Sequence, residues 1–196
     1  MLHMAFPHNY EAELLQEFPG FPSAGTAQRF YFPGGVEAGG RDGLIVRVVP
    51  ELGNAWVGIF AFGKESRRGV SGLYTCPQSD WICVVASGQG YWVNVHDPTD
   101  TELVPLTPIL GVLPVPSEGL LAFYDFTRLI ALGVGGVAWK TPSLSWDGLE
   151  EVRAIGGVIC GKAWDSPREQ WVAFEVELDS GSYCGGSSPE LLHQGR

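Results

Sequence analysis

The chain has 196 residues, which is enough for one domain with a substantial hydrophobic core. It carries 22 Asp and Glu against 12 Lys and Arg, and the net charge of −10 disfavours partners that are bound through their phosphates, such as nucleic acids or anionic membranes. The same charge would attract a basic protein, although acidic residues also keep a chain that is 45% hydrophobic in solution.

The N-terminal residues lack the cationic start and apolar stretch of a secretory signal, and no apolar run is long enough to span a membrane. We therefore expect a cytoplasmic protein without membrane attachment. The cysteines lack the C-x-x-C spacing of zinc or redox sites, and Cys83 and Cys160 lie within apolar runs. We expect buried structural thiols, and a fold that needs no metal, disulfide or cofactor.

Residues 9–18 predict one short N-terminal helix. Asn9 is a favourable N-cap residue, two acids follow in the first turn, and a Pro-Gly pair ends the segment. The helix and the Pro, Gly and Ser-rich loop after it are expected to form an appendage over residues 1–27. Three strands are predicted next, at 28–32, 44–49 and 55–62, because β-branched and aromatic residues dominate there.

A four-strand pattern then recurs three times between residues 70 and 186. A turn that begins with a proline, at residue 77 and again at residue 116, leads into an apolar run. The two prolines are 39 residues apart (116 minus 77). A recurring unit of about 40 residues with four short strands has the size of a propeller blade. The predicted strands fall at 70–75, 81–86, 91–96 and 102–106, then at 109–115, 120–126, 128–133 and 137–141, and finally at 150–155, 158–164, 170–178 and 182–185.

The pattern inside these runs predicts which strands face solvent. Residues 171–178 end in alternating polar and apolar positions, which is typical of a strand with one exposed face. The runs 82–85 and 129–132 are apolar throughout, as in strands covered on both faces. The predicted fold class is all-β, with antiparallel four-stranded repeat units, one short N-terminal helix and a flexible tail over 187–196.

The segment 119–133, followed by Gly136-Val137-Ala138-Trp139, resembles one blade of a WD40-type or quinoprotein-type β-propeller. The resemblance spans about residues 70–186. No Gly-His dipeptide opens the repeats, and the Trp-Asp pairs do not sit where WD40 repeats place theirs. Residues 119–186 are also similar to a family of uncharacterised bacterial proteins with a D-F-T-R-L segment followed by L-S-W-D-G, a similarity that implies no function.

Closure of a ring is the open question for this fold, because propellers have about 4–8 blades and only three passes are evident. Residues 28–62 would supply a degenerate fourth unit that lacks a strand or two. The alternatives are a meander curled into a sandwich and a homodimer that completes a ring. We favour a monomer with a single β-repeat domain over 28–186, made of units at about 28–62, 70–106, 109–141 and 150–185.

Catalytic chemistry has a weak basis in the sequence. His96 and Asp97 end a predicted strand and could serve a small hydrolase with Ser79 or Ser87, but no G-x-S-x-G segment is present and Asp97-Pro98 is typical of a turn. The His residues are too scattered to predict a metal site. Asp97, Asp100 and Glu102 come nearest to a cation-binding loop, yet lack the other ligands of a calcium loop.

Binding chemistry is better represented. Trp146-Asp147 and Trp164-Asp165 each place a large apolar surface beside a carboxylate at the end of a predicted strand, which suits a cationic or protein ligand. The same pairs could instead lock turns. Asp125 and Arg128 flank a tight corner, where a capping carboxylate that pairs with the guanidinium is favoured over a ligand site.

We therefore expect a non-enzymatic protein-interaction module with an acidic surface, for example an antidote or regulator of a basic protein. The alternatives are a small hydrolase built on His96 with a nearby carboxylate and a structural domain without a site of its own. Each makes a different geometric prediction. A hydrolase needs a concave pocket in which these side chains converge, whereas a binding module needs exposed aromatic groups.

Overall fold

Extended strands dominate the computed structural model, which describes residues 2–17, 28–34, 42–64 and 66–189. The chain falls into two compact units, Met1–Ile109 and Leu110–Arg196. The four β-sheets of the described residues are divided equally between the units. The all-β prediction is confirmed, and each of the three four-strand passes corresponds to a separate sheet.

The first unit has nine strands in its described part. In chain order they are β1 (Leu2–His3), β2 (Tyr10–Leu15), β3 (Gln28–Phe32), β4 (Gly43–Pro50), β5 (Trp56–Ala61), β6 (Gly72–Thr75), β7 (Trp81–Ala86), β8 (Gln89–Asn94) and β9 (Thr101–Leu103). The first sheet has the strand order β2-β4-β5-β3, and the second sheet has the order β1-β6-β7-β8-β9. Neighbouring strands are antiparallel, except that β1 runs parallel to β6 and β3 runs parallel to β5.

The helix predicted at residues 9–18 is wrong, because β2 occupies this segment. β2 pairs with β4 over six residues, from Tyr10 opposite Pro50 to Leu15 opposite Ile45. Tyr10 is buried and Ala12 packs against the same core, while Glu11 and Glu13, which alternate with them, are exposed. The pairing and the burial outweigh helix propensities that differ among ordinary residues by less than about 1 kcal/mol.

The N-terminal segment also completes the shortened unit predicted at 28–62. That span provides β3, β4 and β5, and β2 adds the fourth strand of the sheet. β1 extends the second sheet by pairing with β6, and the Thr75 hydroxyl there accepts hydrogen bonds from the Ala5 and Phe6 backbone N–H groups at 3.0 and 2.9 Å. The described part of the predicted appendage, residues 2–17, therefore takes part in both sheets of the first unit.

A shared core joins the two sheets of the first unit. Its buried members include Phe60 from β5, Val84 from β7 and Tyr91 from β8. Indole Nε1 of Trp56 donates a hydrogen bond of 2.8 Å to the Val95 carbonyl, so that polar contacts cross from one sheet to the other beside the apolar ones.

The second unit has eight strands in its described part. They are β10 (Gly111–Val115), β11 (Leu120–Tyr124), β12 (Leu129–Gly133), β13 (Gly136–Lys140), β14 (Leu149–Ile155), β15 (Val158–Asp165), β16 (Gln170–Glu177) and β17 (Tyr183–Gly185). The third sheet is the antiparallel meander β10 to β13, and the fourth sheet is the antiparallel meander β14 to β17. Short 3-10 turns at Pro116–Glu118 and Ser166–Arg168 connect β10 to β11 and β15 to β16.

The second unit repeats the sheet-to-sheet connection of the first. The third and fourth sheets share a core that includes Leu129, Ile159 and Phe174. Indole Nε1 of Trp139 donates to the Leu178 carbonyl at 2.7 Å, and in both units the donor and acceptor residues are 39 positions apart. This separation equals the offset between the repeats of the sequence, so the same bond recurs between successive sheets.

Several predictions fall at the limits of the described residues. The loop at 18–27 and the part of the predicted tail beyond residue 189 lie outside them. At the start of that tail, the Ser187 backbone N–H donates to the Leu144 carbonyl at 2.8 Å and the Ser188 hydroxyl donates to the Ser143 carbonyl at 2.6 Å. No helix in the described part of the chain has the length and hydropathy needed to cross a membrane.

Only two of the four cysteines are buried, although the sequence predicted buried structural thiols. Cys83 is fully buried in β7, as predicted, and Cys76 is buried nearby. Burial raises the pKa of both thiols. Cys160 is only half-buried, and Cys184 is exposed.

Candidate functional site

The fourth sheet has one face in the core and one face in solvent. Along β16, Phe174 and Val176 are buried, whereas Trp171 and Glu175 are exposed. This confirms the alternation predicted for the strand. The solvent face therefore presents side chains that a partner can reach.

Two tryptophans form a cross-strand pair on this solvent face. Trp164 in β15 lies directly opposite Trp171 in β16, and their ring centres are 5.3 Å apart in an edge-to-face arrangement. Trp171 is 38% exposed and Trp164 is half-buried. Such a pair stabilises a sheet by up to about 1 kcal/mol, and it still leaves indole surface open to solvent.

The Ser145 hydroxyl holds the loop before β14 against this pair. Ser145 is buried, and its Oγ accepts hydrogen bonds from the backbone N–H groups of Trp164 at 2.9 Å and Gly148 at 3.2 Å. The Trp146 N–H donates to the Trp164 carbonyl at 3.1 Å, and the Trp164 N–H also reaches the Gly148 carbonyl at 3.1 Å. The two Trp-Asp segments of the sequence are thereby brought side by side.

The residue that follows Asp147 in this loop lies against the aromatic pair. A Cβ atom at Gly148 would lie 3.3 Å from Cη2 of Trp171, so the tip of that indole rests over the Gly148 backbone. Asp147, the residue before it, is exposed. We call Asp147, Trp164 and Trp171 the tryptophan patch.

Trp146 and Asp165 have structural contacts instead. Trp146 is half-buried, and its Nε1 donates to the Ser187 hydroxyl at 3.3 Å, which ties the segment after β17 to the loop. Asp165 is only 2% exposed, and its Oδ2 accepts a hydrogen bond of 3.3 Å from Arg168 within the 3-10 turn. Because its carboxylate is buried and bonded, we leave Asp165 out of the patch.

Carboxylates outnumber cations around the tryptophan patch. Lys162, on the same face, is held by Glu151 at 2.5 Å, and this hydrogen bond keeps the pKa of Glu151 below its usual value. Six acids of the sheet and its turns form no ion pair with any described residue: Asp147, Glu150, Glu169, Glu175, Glu177 and Asp179. Lys162 and Arg168 are thus paired within the fold, whereas these acids are not paired with any described cation.

Asp125 caps its turn, as the sequence predicted. Its Oδ1 accepts hydrogen bonds from the backbone N–H groups of Thr127 at 2.6 Å and Arg128 at 2.7 Å. The Asp125 N–H in turn donates to the Arg128 carbonyl at 3.1 Å. This carboxylate fixes the corner between β11 and β12, which is a structural role.

The geometry around His96 gives no support to a hydrolytic site. His96 lies on the turn after β8, with Nδ1 at 3.0 Å from the Leu52 carbonyl and Nε2 at 4.0 Å from Oδ1 of Asp80. Oδ1 of Asp97 accepts bonds from the N–H and hydroxyl of Thr99, which lower its pKa and close the turn. The described residues make no hydrogen bond between His96 and Asp97.

The residues that came nearest to a cation-binding loop in the sequence do not form a metal site among the described residues. Asp100 accepts a hydrogen bond of 3.3 Å from the Asn94 amide, and within the described ranges no three His, Cys, Asp or Glu side chains are grouped as metal ligands. Cavities of about 440, 310 and 270 Å³ lie in the first unit, and neither His96 nor Asp97 lines them.

Part of the tryptophan patch is predictable from the sequence, and part is not. The adjacent Trp-Asp pairs predict Trp146, Asp147, Trp164 and Asp165 as site residues, and only Asp147 and Trp164 belong to the tryptophan patch. Trp171 was missed because its partnership with Trp164 depends on the register of β15 with β16. Its position at the start of an alternating strand was the available signal.

The comparisons with known proteins are sparse. No protein-family model matches the chain, and no curated protein matches it. Among solved structures, the chain is similar to the WD40 domain of SCAP from fission yeast, with 12% sequence identity and a TM-score of 0.33. The match covers 89% of this chain and 47% of that one, so the chain spans about half the length of the solved structure. A TM-score this low does not establish a shared fold.

Proposed function

We propose that this protein is a non-enzymatic protein-interaction module, which binds a basic segment of another protein through the tryptophan patch. The observation that carries the proposal is the Trp164–Trp171 pair on a solvent-facing sheet surface, in contact with the loop that carries the exposed residue Asp147. We take the binding form to be a cytoplasmic monomer.

The aromatic pair supplies the reason for binding. Tryptophan is enriched among the residues that dominate interface energies, because burial of an indole removes a large apolar surface from water. Trp171 is more exposed than most tryptophans of a folded core, and a partner that covers it would recover this free energy.

The charge supplies the selectivity. Between residues 110 and 189 the sequence has ten Asp and Glu against five Lys and Arg, a net charge of −5 (five minus ten). An acidic surface speeds association with a basic partner and repels acidic ones, and the effect weakens as salt is added. An antidote that covers a basic toxin or nuclease is one concrete form of such a module.

The test is capture from the native host followed by titration of the purified partner. The variant Trp164→Ala/Trp171→Ala removes the aromatic pair, and Val134→Ala/Val137→Ala removes exposed apolar side chains from the third sheet as a matched control. Loss of about 2 kcal/mol at a dominant contact corresponds to roughly 30-fold weaker binding. The proposal predicts at least that loss for the tryptophan variant and less than about twofold for the control.

Circular dichroism of both variants shows whether they are folded, so that a loss of binding is not mistaken for a loss of structure. A partner that binds the folded tryptophan variant as tightly as the original chain would refute the patch as the site. An acidic partner, or binding that strengthens with salt, would refute the charge argument.

A further inference from the structure

We infer that the tryptophan patch selects an arginine side chain, with the guanidinium stacked on the indole of Trp171 and paired with the carboxylate of Asp147. This inference rests on the proposed function and specifies the chemistry of the ligand at the same site. It follows from three features: the placement of the Trp171 ring, the state of Asp147 and the commitments of the neighbouring cations.

The ring of Trp171 lies across the sheet. Trp171 belongs to β16, it meets Trp164 on the adjacent strand β15, and its Cη2 atom reaches the Gly148 backbone just before β14. Trp164 contacts the ring in an edge-to-face arrangement. The Trp171 indole is therefore held between Trp164 and the Gly148 backbone, while the residue remains 38% exposed.

Asp147 is adjacent in sequence to Gly148, whose backbone the Trp171 ring contacts. It is exposed, it precedes Gly148, and it forms no ion pair with a described residue. The two cations closest to the aromatic pair along the chain are bound elsewhere, Lys162 to Glu151 and Arg168 to Asp165. The loop that carries Asp147 therefore meets the aromatic surface, and no side chain in the described part of the chain forms an ion pair with this carboxylate.

Arginine fits this arrangement better than lysine. A guanidinium is planar and weakly hydrated, so it stacks on an indole while its N–H groups bind a carboxylate through two parallel hydrogen bonds. An ammonium group is compact and strongly hydrated, and it gains less from a flat surface at the edge of solvent. The expected order of affinity is arginine, then lysine, then the neutral isostere citrulline.

The experiment uses the full chain and three synthetic peptides that differ at one position. The peptides have the sequence Gly-Ser-Gly-X-Gly-Ser-Gly with blocked ends, where X is arginine, lysine or citrulline. Binding is followed through the indole N–H signals of Trp164 and Trp171 in a ¹⁵N-labelled sample, after assignment with Trp→Phe variants. We expect the arginine peptide to bind at least threefold more tightly than the lysine peptide, and the citrulline peptide to bind at least tenfold more weakly than the arginine peptide.

Two variants and a charge-matched control locate the ligand. Trp171→Ala and Asp147→Asn should each weaken arginine-peptide binding at least fivefold. Asp179→Asn makes the same change in net charge on the turn after β16, eight residues from Trp171 and thus about 25 Å along the strand. It should change the affinity less than twofold.

The outcomes separate this inference from the proposed function. Equal binding of arginine and citrulline peptides, or equal effects of Asp147→Asn and Asp179→Asn, would overturn the arginine site. If the captured partner nevertheless needs Trp164 and Trp171, the proposed interaction module would stand with a different ligand chemistry. If the partner binds the Trp164→Ala/Trp171→Ala variant as tightly as the original chain, the proposed function itself would fail.

Discussion

The indole hydrogen bond between successive sheets gives a quantitative test of the fold. Trp139 is 7% exposed, and its N–H donates to the Leu178 carbonyl at 2.7 Å within the core of the second unit. The substitution Trp139→Phe keeps an aromatic ring but removes this donor. It leaves the carbonyl of Leu178 without that hydrogen bond, in a place where water has poor access.

Two contributions set the expected loss of stability. A buried carbonyl that loses its donor costs about 2 kcal/mol, and the smaller ring leaves a void of roughly 40 Å³, which adds about 1 kcal/mol at about 24 cal/mol per Å³. The free energy of unfolding should therefore fall by about 3 kcal/mol. The same substitution at Trp56 should cost a similar amount in the first unit, because its donor contact of 2.8 Å to Val95 is equivalent.

Urea unfolding followed by far-ultraviolet circular dichroism measures this loss. Hydrogen exchange of amides in β11 and β12 shows that the effect arises in the second unit. Trp171→Phe is the matched control, because the same chemical change at a 38% exposed ring should cost less than about 1 kcal/mol. A loss below 1 kcal/mol for Trp139→Phe, or equal losses at the two positions, would refute the reasoning.

Three further predictions concern backbone conformation, buried thiols and the N-terminal strand. Gly119 and Glu169 each follow a 3-10 turn and lie in the left-handed region, at φ values of 62° and 49°. Because glycine adopts this conformation more easily than other residues, Glu169→Gly should raise the free energy of unfolding by up to about 1 kcal/mol. Gly119→Ala should lower it by about 1 kcal/mol, and urea titrations measure both changes. Burial raises the pKa of Cys76 and Cys83 above the unfolded value of about 8.5, so the stability that their neutral forms provide should be lost as the pH rises above that value, by up to about 1.4 kcal/mol per pH unit for each thiol. Cys83→Ala should flatten this slope between pH 8.5 and 10, and an unchanged slope would exclude the thiol as its source. Tyr10→Phe should cost about 1 kcal/mol, because its hydroxyl donates to the Trp81 carbonyl at 2.9 Å, and no change in urea unfolding would contradict the placement of β2.

Local patterns predicted the repeated part of the fold well. Turn residues at regular spacing and short apolar runs are set by local chemistry, and they identified the sheets formed by residues 70–186. The same approach failed at residues 9–18, where an N-cap residue and acids favour a helix locally. Whether those residues form a strand depends on β4, which lies more than 25 residues further along the chain.

The candidate site was predictable only in part, for a related reason. Adjacent Trp and Asp residues are visible in the sequence, but their exposure is not. Asp165 is buried and accepts a hydrogen bond from Arg168 within a turn, whereas Asp147 is exposed on a loop fixed by the Ser145 hydroxyl. The partnership of Trp164 with Trp171 needs the register of two strands, which single-sequence patterns do not determine.

Hydrogen–deuterium exchange of the full chain, with and without its captured basic partner, tests the central claim most directly. The proposed interaction module predicts that slower exchange on binding concentrates at the loop 145–148, the end of β15 and the start of β16, where the tryptophan patch lies. It also predicts that Trp164→Ala/Trp171→Ala abolishes this protection. Protection confined to other sheets, with the patch exchanging at its free rate, would contradict the account.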